Sequence, residues 1–323
     1  WDLRVRHERV DDDAYTRDAD ASSARLRAGL RLAPAAGWTI LLEGEGVAAG
    51  GDYNSGANGK TEYPLVLDPA GIELNQAWVG WKGTQGGATL GRQRIVLDNQ
   101  RWVGNVGWRQ NEQTFDAVSA QWKPHKELSL SYHWLDKVHR VAGDKARNRL
   151  ARERDLDSHL LNLAWKHAAQ QLVGYAYLHD DRDVASASTA TYGLRWQGTV
   201  NPTGQGFGWA AEYARQTDHA GNPADFALDY WLLEPLWTHG KTSFRAGWER
   251  LGGNGVVAVQ SPLATLHAFN GWNDQFLVTP ARGLDDRYLG AGGKFGRGKL
   301  DGKLNWALAW HDYRSDVGGQ RYG

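Results

Sequence analysis

The fold is decided by residues 289–311, LGAGGKFGRGKLDGKLNWALAWH. Leu289, Ala291, Gly293 and Phe295 alternate with Gly290, Gly292 and Lys294. After the turn Gly296-Arg297-Gly298-Lys299, Leu304, Trp306, Leu308 and Trp310 alternate with Lys303, Asn305, Ala307, Ala309 and His311. A period of two places the two sets on opposite faces of a strand. One face of the second strand therefore carries two tryptophans, and the other is polar or small. A soluble sandwich would point the tryptophan row into a core. A membrane barrel would point it at lipid and turn Lys303, Asn305 and His311 toward a lumen.

Composition favours the second arrangement. Hydrophobic residues make up 41% of the 323, yet there are 17 Trp, 12 Tyr and 40 Gly. A polar average with so many aromatics fits apolar residues spread thinly along one face. No run of 18 apolar residues marks a transmembrane helix, and barrel strands would not leave one. Lys plus Arg and Asp plus Glu are both 37, so net charge points to no nucleic-acid partner. Cysteine is absent, which removes disulfides, thiolate metal sites and cysteine nucleophiles. Trp1 reads as close to a mature start.

Working outward, segments of about ten residues alternate throughout, joined by connections that are short and long in turn. Leu3 and Val5 oppose Arg4 and Arg6; Ala24, Leu26, Ala28, Leu30 and Leu32 oppose Arg25, Arg27 and Arg31. The segment from Ala88 to Ile95 reads as a strand, and Lys123-Pro124-His125-Lys126 as a turn. Trp81, Trp122, Trp165, Trp196, Trp237 and Phe295 each close a descending strand before a short connection, and Trp38 opens a strand just past one. Such a ring suits a membrane interface, where an indole meets lipid with its body and headgroups with its N–H. Pro235 is expected to interrupt the strand of Trp237. A helical turn or two fits the charged connection 137–161, as a loop insertion only.

These patterns predict an all-β fold: one transmembrane antiparallel up-and-down β-barrel over residues 1–323, with short periplasmic turns and long extracellular loops. About fifteen strands are present of an expected 16–18, since bacterial barrels use even numbers. The closing C-terminal strand or strands are expected beyond Gly323.

On the lumen face Arg4, Arg6, Arg25, Arg27 and Arg31 lie side by side on the first two strands. Arg94, Arg101, Arg109, Arg195, Arg245 and Lys303 extend the set, although Arg94 has lipid-facing parity unless a bulge intervenes. A ladder of guanidiniums would replace part of the hydration of a carboxylate-bearing solute. The plainer reading is that they neutralise Glu43, Glu45, Glu73, Asp98, Glu112, Asp116, Glu212 and Glu249 in the wall. The connection 98–113, dense in Arg, Asn, Gln and Trp, reads as a loop folded inward to constrict the pore; 269–286 is a second candidate lid.

Other chemistries are thinly represented. Asp11, Asp12 and Asp13 could hold Ca²⁺ through oxygen ligands, but a solvated loop accounts for them as well. No cofactor is expected. Ser131 and His133 share a strand face without any G-x-S-x-G motif, so they read as lumen polarity rather than as an enzyme's catalytic pair. An adhesin or receptor that works through its loops is the remaining class.

Two segments carry a resemblance. Residues 91–104, GRQRIVLDNQRWVG, continue through WRQNEQTFD at 108–116; residues 269–276, FNGWNDQF, are followed by TPARGLDD at 279–286. These strings resemble the alginate export porins of Gram-negative outer membranes, and the strand layout agrees over the whole chain. The resemblance implies an outer-membrane channel for an anionic polysaccharide such as a polyuronate. The alternative is a porin for small organic anions. Membrane lipid and lipopolysaccharide would be its surroundings, periplasmic secretion proteins its possible partners, and a monomer its expected state.

Overall fold

The computed structural model describes residues 1–201, 206–272, 274–295 and 304–322. Lys303 and the turn 296–299 lie outside these residues. The fold is a single antiparallel sheet in which every strand pairs with its sequence neighbours. Its strands are β1 (Asp2–Val10), β2 (Ala19–Leu32), β3 (Trp38–Asp52), β4 (Gly71–Lys82) and β5 (Gly86–Gln93). Then come β6 (Thr114–His125), β7 (Leu128–His139), β8 (Glu153–His167), β9 (Gln170–His179) and β10 (Thr189–Val200). The last are β11 (Gly206–Asp218), β12 (Ala227–His239), β13 (Thr242–Leu251), β14 (Leu284–Lys294) and β15 (Asn305–Arg314). One helical turn, α1 (Arg149–Arg152), sits in the loop before β8. Alternating directions leave β1 and β15 running the same way, and the two are unpaired among the described residues.

Period-two alternation is realised in the burial pattern. On β12, Trp231, Leu233 and Trp237 are exposed while Leu228, Tyr230 and Leu232 are buried. Leu30, Leu42, Leu90, Leu194 and Leu308 are likewise more than half exposed on the outer face. A water-soluble protein would not leave such a continuous apolar band uncovered; a barrel turns it to lipid. The buried cluster lies inside, where Ile95, Trp102, Val103, Val259 and Leu263 from the long connections meet Phe115, Leu160, Tyr175 and Tyr230 of the wall.

The seven aromatics lie close to the short connections. Trp38 is directly opposite Trp81, Trp122 opposite Leu130, Trp165 opposite Leu172, and Trp237 opposite Phe244. Trp196 opposes Leu172, and Phe295 donates its N–H to Leu304 O at 2.9 Å beside the last connection. All seven aromatics are exposed, with Trp122 the most open at 54%.

Several local expectations are corrected. The strand read as Ala88 to Ile95 is β5, ending at Gln93, so Arg94 belongs to the loop and its strand parity does not apply. Gly91 takes φ +119° just before this departure, a conformation that L side chains rarely adopt. Residues 123–125, read as a turn, complete β6, whose register to β7 shifts there. Pro235 does not break β12: it still faces Trp209 on β11, and the register to β13 is the same on both sides of it. Proline lacks the N–H but tolerates extended φ, so it interrupts one ladder bond without moving Trp237.

Candidate functional site: the lumen and its inner loops

Two long connections turn inward. The first, residues 94–113, leaves β5 and crosses the lumen. Its backbone is held from β1 and β2: Arg4 donates to Gly107 O at 2.9 Å and Trp108 O at 2.9 Å, and Arg6 to Trp108 O at 2.7 Å. Arg25 and Arg27 donate to Gln110 O at 3.2 and 3.1 Å. On the far side the Trp102 indole donates to Glu212 of β11 at 2.8 Å, and Arg101 pairs with Glu249 of β13 at 2.9 Å.

The second connection, residues 252–283, packs on the first. Gly104 N donates to Leu263 O at 2.9 Å, Thr265 N to Gln100 O at 3.1 Å, and Gln113 to Leu263 O at 2.9 Å. Trp108 stacks on His267 with ring centroids 4.0 Å apart, and the Arg6 guanidinium lies 4.3 Å from the Trp108 centroid. Asn270 of this loop donates to Glu249 at 2.8 Å and Asp286 at 3.1 Å.

The sequence-predicted arginines divide by what they face. Arg4 and Arg6 hold loop carbonyls, and Arg6 also pairs with Glu8 and, at 3.4 Å, with Asp68. Arg25 meets Asp2; Arg27 meets Glu45 and, at 3.4 Å, Glu112. Arg94 grips Glu112 with two nitrogens and stands 4.0 Å from Glu43. Arg109 bridges Glu8 at 3.3 Å and Asp274 at 3.2 Å, and Arg195 pairs with Glu212 at 2.6 Å. Arg245 stands 3.6 Å from Glu234. Arg31 has no ion pair among the described residues; it lies exposed, with its guanidinium 5.9 Å from the Trp78 ring.

Two loop carboxylates show how this network sets charge. Burial pushes Glu112 upward, but the Arg94 and Arg27 guanidiniums outweigh it and hold the carboxyl below its ordinary range. Asp98 goes the other way: burial raises it, and neither the Asn162 amide at 2.8 Å nor Arg195 fully offsets that.

The acidic turn and the serine–histidine pair take other roles. Asp12 accepts from Ala14 N at 2.9 Å, closing a turn. Asp11, Asp12 and Asp13 do not converge, and no group of three or more His, Asp or Glu is set to hold a metal among the described residues. His133 is buried against Ser119 at 2.7 Å, not against Ser131.

Besides a cavity of about 440 Å³ bounded by Arg94, Ser119, Lys123 and His133, a cavity of about 700 Å³ opens along β12–β15. Phe269, Asn270 and Trp272 of the second loop bound it on one side. Glu234, Arg245, Tyr288 and His311 bound it on the other, with Gly290, Gly292, Ala307 and Ala309 as a thin wall.

The profile of the alginate export family matches residues 2–242, three quarters of the chain. The chain belongs to the alginate export family. No curated protein sequence matches it. Among solved structures, Pseudomonas aeruginosa OpdK with vanillate superposes with a TM-score of 0.63 at 14% identity, covering 99% of this chain and 94% of that one. Pseudomonas aeruginosa OccK8 (OprE) gives 0.64 at 11% identity over 97% and 93%. Acinetobacter baumannii OccAB2 gives 0.61 at 14% over 94% and 88%. At such identities the likeness is one of fold. This alginate export family member is an outer-membrane porin-like channel of Gram-negative type, and its family and fold are those of channels rather than enzymes.

Sequence reading missed the lumen carboxylates' tyrosine partners in this family member. Tyr175, Tyr230 and Tyr288 each hydrogen-bond a glutamate from a neighbouring or next-but-one strand. Their inward parity was readable. Their partners depend on register between distant segments, which it was not.

Proposed function

We propose that this channel passes carboxylate-bearing solutes, with an alginate-like polyuronate as its cargo. The observation that carries the reading is the concentration of guanidiniums around the first inner loop. Arg245 stands half-exposed at the cavity, and Arg31 faces the lumen toward the periplasmic end without an acidic partner among the described residues. Paired arginines hold the constriction in shape; the less neutralised ones bias the remaining passage toward anions. Family membership supports a polyuronate.

A second reading is a porin for small organic anions. The solved structure of OpdK with vanillate, a protein of the same fold, favours it, and so does the confined volume left by the two loops. Bilayer recordings of the full-length protein separate the two. Block by uronate oligomers and not by vanillate supports the polyuronate channel, the reverse supports the small-anion porin, and a current without anion preference removes both.

A further inference from the structure

Three carboxylates on the lumen wall share one construction. Glu212 accepts from Tyr175 Oη at 2.6 Å and Arg195 at 2.6 Å. Glu249 accepts from Tyr230 Oη at 2.7 Å and faces Arg101 Nε at 2.9 Å. Glu234 accepts from Tyr288 Oη at 2.5 Å and has Arg245 Nη1 at 3.6 Å. In the first and third, glycine lets the ring lie flat on the wall. A Cβ at Gly193 would stand 2.2 Å from Tyr175 Cζ, and one at Gly247 only 2.0 Å from Tyr288 Cζ.

The three differ in access. Arg195 and Arg101 keep 7% and 3% of their side-chain exposure, and their glutamates 1% and 5%. Both triads are closed, and both fix structure: Glu212 and Glu249 are where the first inner loop is anchored. Arg245 keeps 52% and Glu234 23%. At 3.6 Å the pair attracts electrostatically but is not hydrogen-bonded, so among the described residues the guanidinium fork is uncommitted. It opens into the cavity, facing Phe269 and a 66%-exposed Trp272 across the gap.

We propose that Tyr288, Glu234 and Arg245 form a binding site in the passage for one carboxylate carried on a ring. The proposal rests on the anion-channel reading. The Arg245 fork takes the carboxylate bidentately, while the Tyr288 hydroxyl holds Glu234 and keeps it from closing on Arg245. The ring of the solute lies against Phe269 or Trp272. Glu234 remains a competitor for the guanidinium, so the bound carboxylate can be released onward, as conduction requires. Uronates and aromatic carboxylates share this chemistry.

The test is concentration-dependent block of single-channel current in the full-length protein. The probes are a uronate trimer, vanillate and a neutral sugar trimer. Arg245→Ala should weaken block by the carboxylates about tenfold or more, the scale of a hydrogen bond to a charged group. Tyr288→Phe, which lets Glu234 close on Arg245, should weaken it severalfold, and Arg287→Ala on the outer face should not. The neutral trimer should not block. Weakened block for uronates alone assigns the site to sugar acids, and for vanillate alone to aromatic acids. Unchanged block by both in Arg245→Ala and Tyr288→Phe overturns the site. A wild-type current without anion preference overturns the channel reading beneath it.

Discussion

The indole N–H of Trp102 donates to Glu212 at 2.8 Å, joining the loop after β5 to the lumen face of β11. Tyr175 and Arg195 meet the same carboxylate, and Trp102 packs edge-on against Tyr230 with centroids 5.1 Å apart. A carboxylate so satisfied anchors the loop against the inner face of the sheet. Trp102→Ala should remove that anchor at a cost of about 3–5 kcal/mol, the range for a large buried aromatic. The strands do not depend on it, so the barrel should still insert. Single-channel recordings should show openings to a larger conductance than wild type.

Arg101→Ala strands Glu249 as a buried charge beside Tyr230 and Asn270. Breaking one partner of a buried pair costs about 3–5 kcal/mol, here spent on releasing the loop. Limited proteolysis of the folded protein in detergent should then cut within residues 98–113, with wild type protected.

The arginines of β2 should separate by partner. Arg25→Glu with Arg27→Glu would set new carboxylates against Asp2, Glu45 and Glu112 and drop two bonds to Gln110 O. That double variant should shift the reversal potential toward cations and raise conductance as the loop loosens. Arg31 pairs with no acid and touches neither inner loop among the described residues, so Arg31→Glu should shift the reversal potential without raising conductance.

Trp122 stands exposed on the outer face, away from the lumen arginines. Trp122→Ala should lower the denaturation midpoint in detergent, by on the order of 1 kcal/mol for a half-exposed aromatic, and leave the reversal potential unchanged.

Asp98 supplies a pH dependence. Its pKa is raised by burial, so as pH falls it takes up its proton before ordinary carboxylates do, and the lumen loses a negative charge. Anion preference should therefore increase on mild acidification. In Asp98→Asn the reversal potential should already sit at the more anion-selective value and lose this step.

The fold was legible because its signal is local and repeated. Each strand announces its two faces in its own sequence, and the tryptophans at Trp81, Trp122 and Trp165 mark where short turns follow. Boundaries were harder. Arg94 lies in the loop because the chain leaves the ladder after Gln93, a backbone event with no period of its own. The lumen was half legible. Parity placed Arg25, Arg27, Arg195 and Arg245 inside, but whether a guanidinium meets a carboxylate, a loop carbonyl or open space depends on how two inner loops fold across the sheet. Arg101 and Glu249 lie far apart in sequence and meet only because the loop after β5 reaches β13.

The most direct test of the anion channel is the reversal potential of the full-length protein in a planar bilayer under a salt gradient, before and after adding uronate oligomers. An anion-selective current that the uronates block is the expected result. A current with no anion preference, or with a preference for cations, would contradict it.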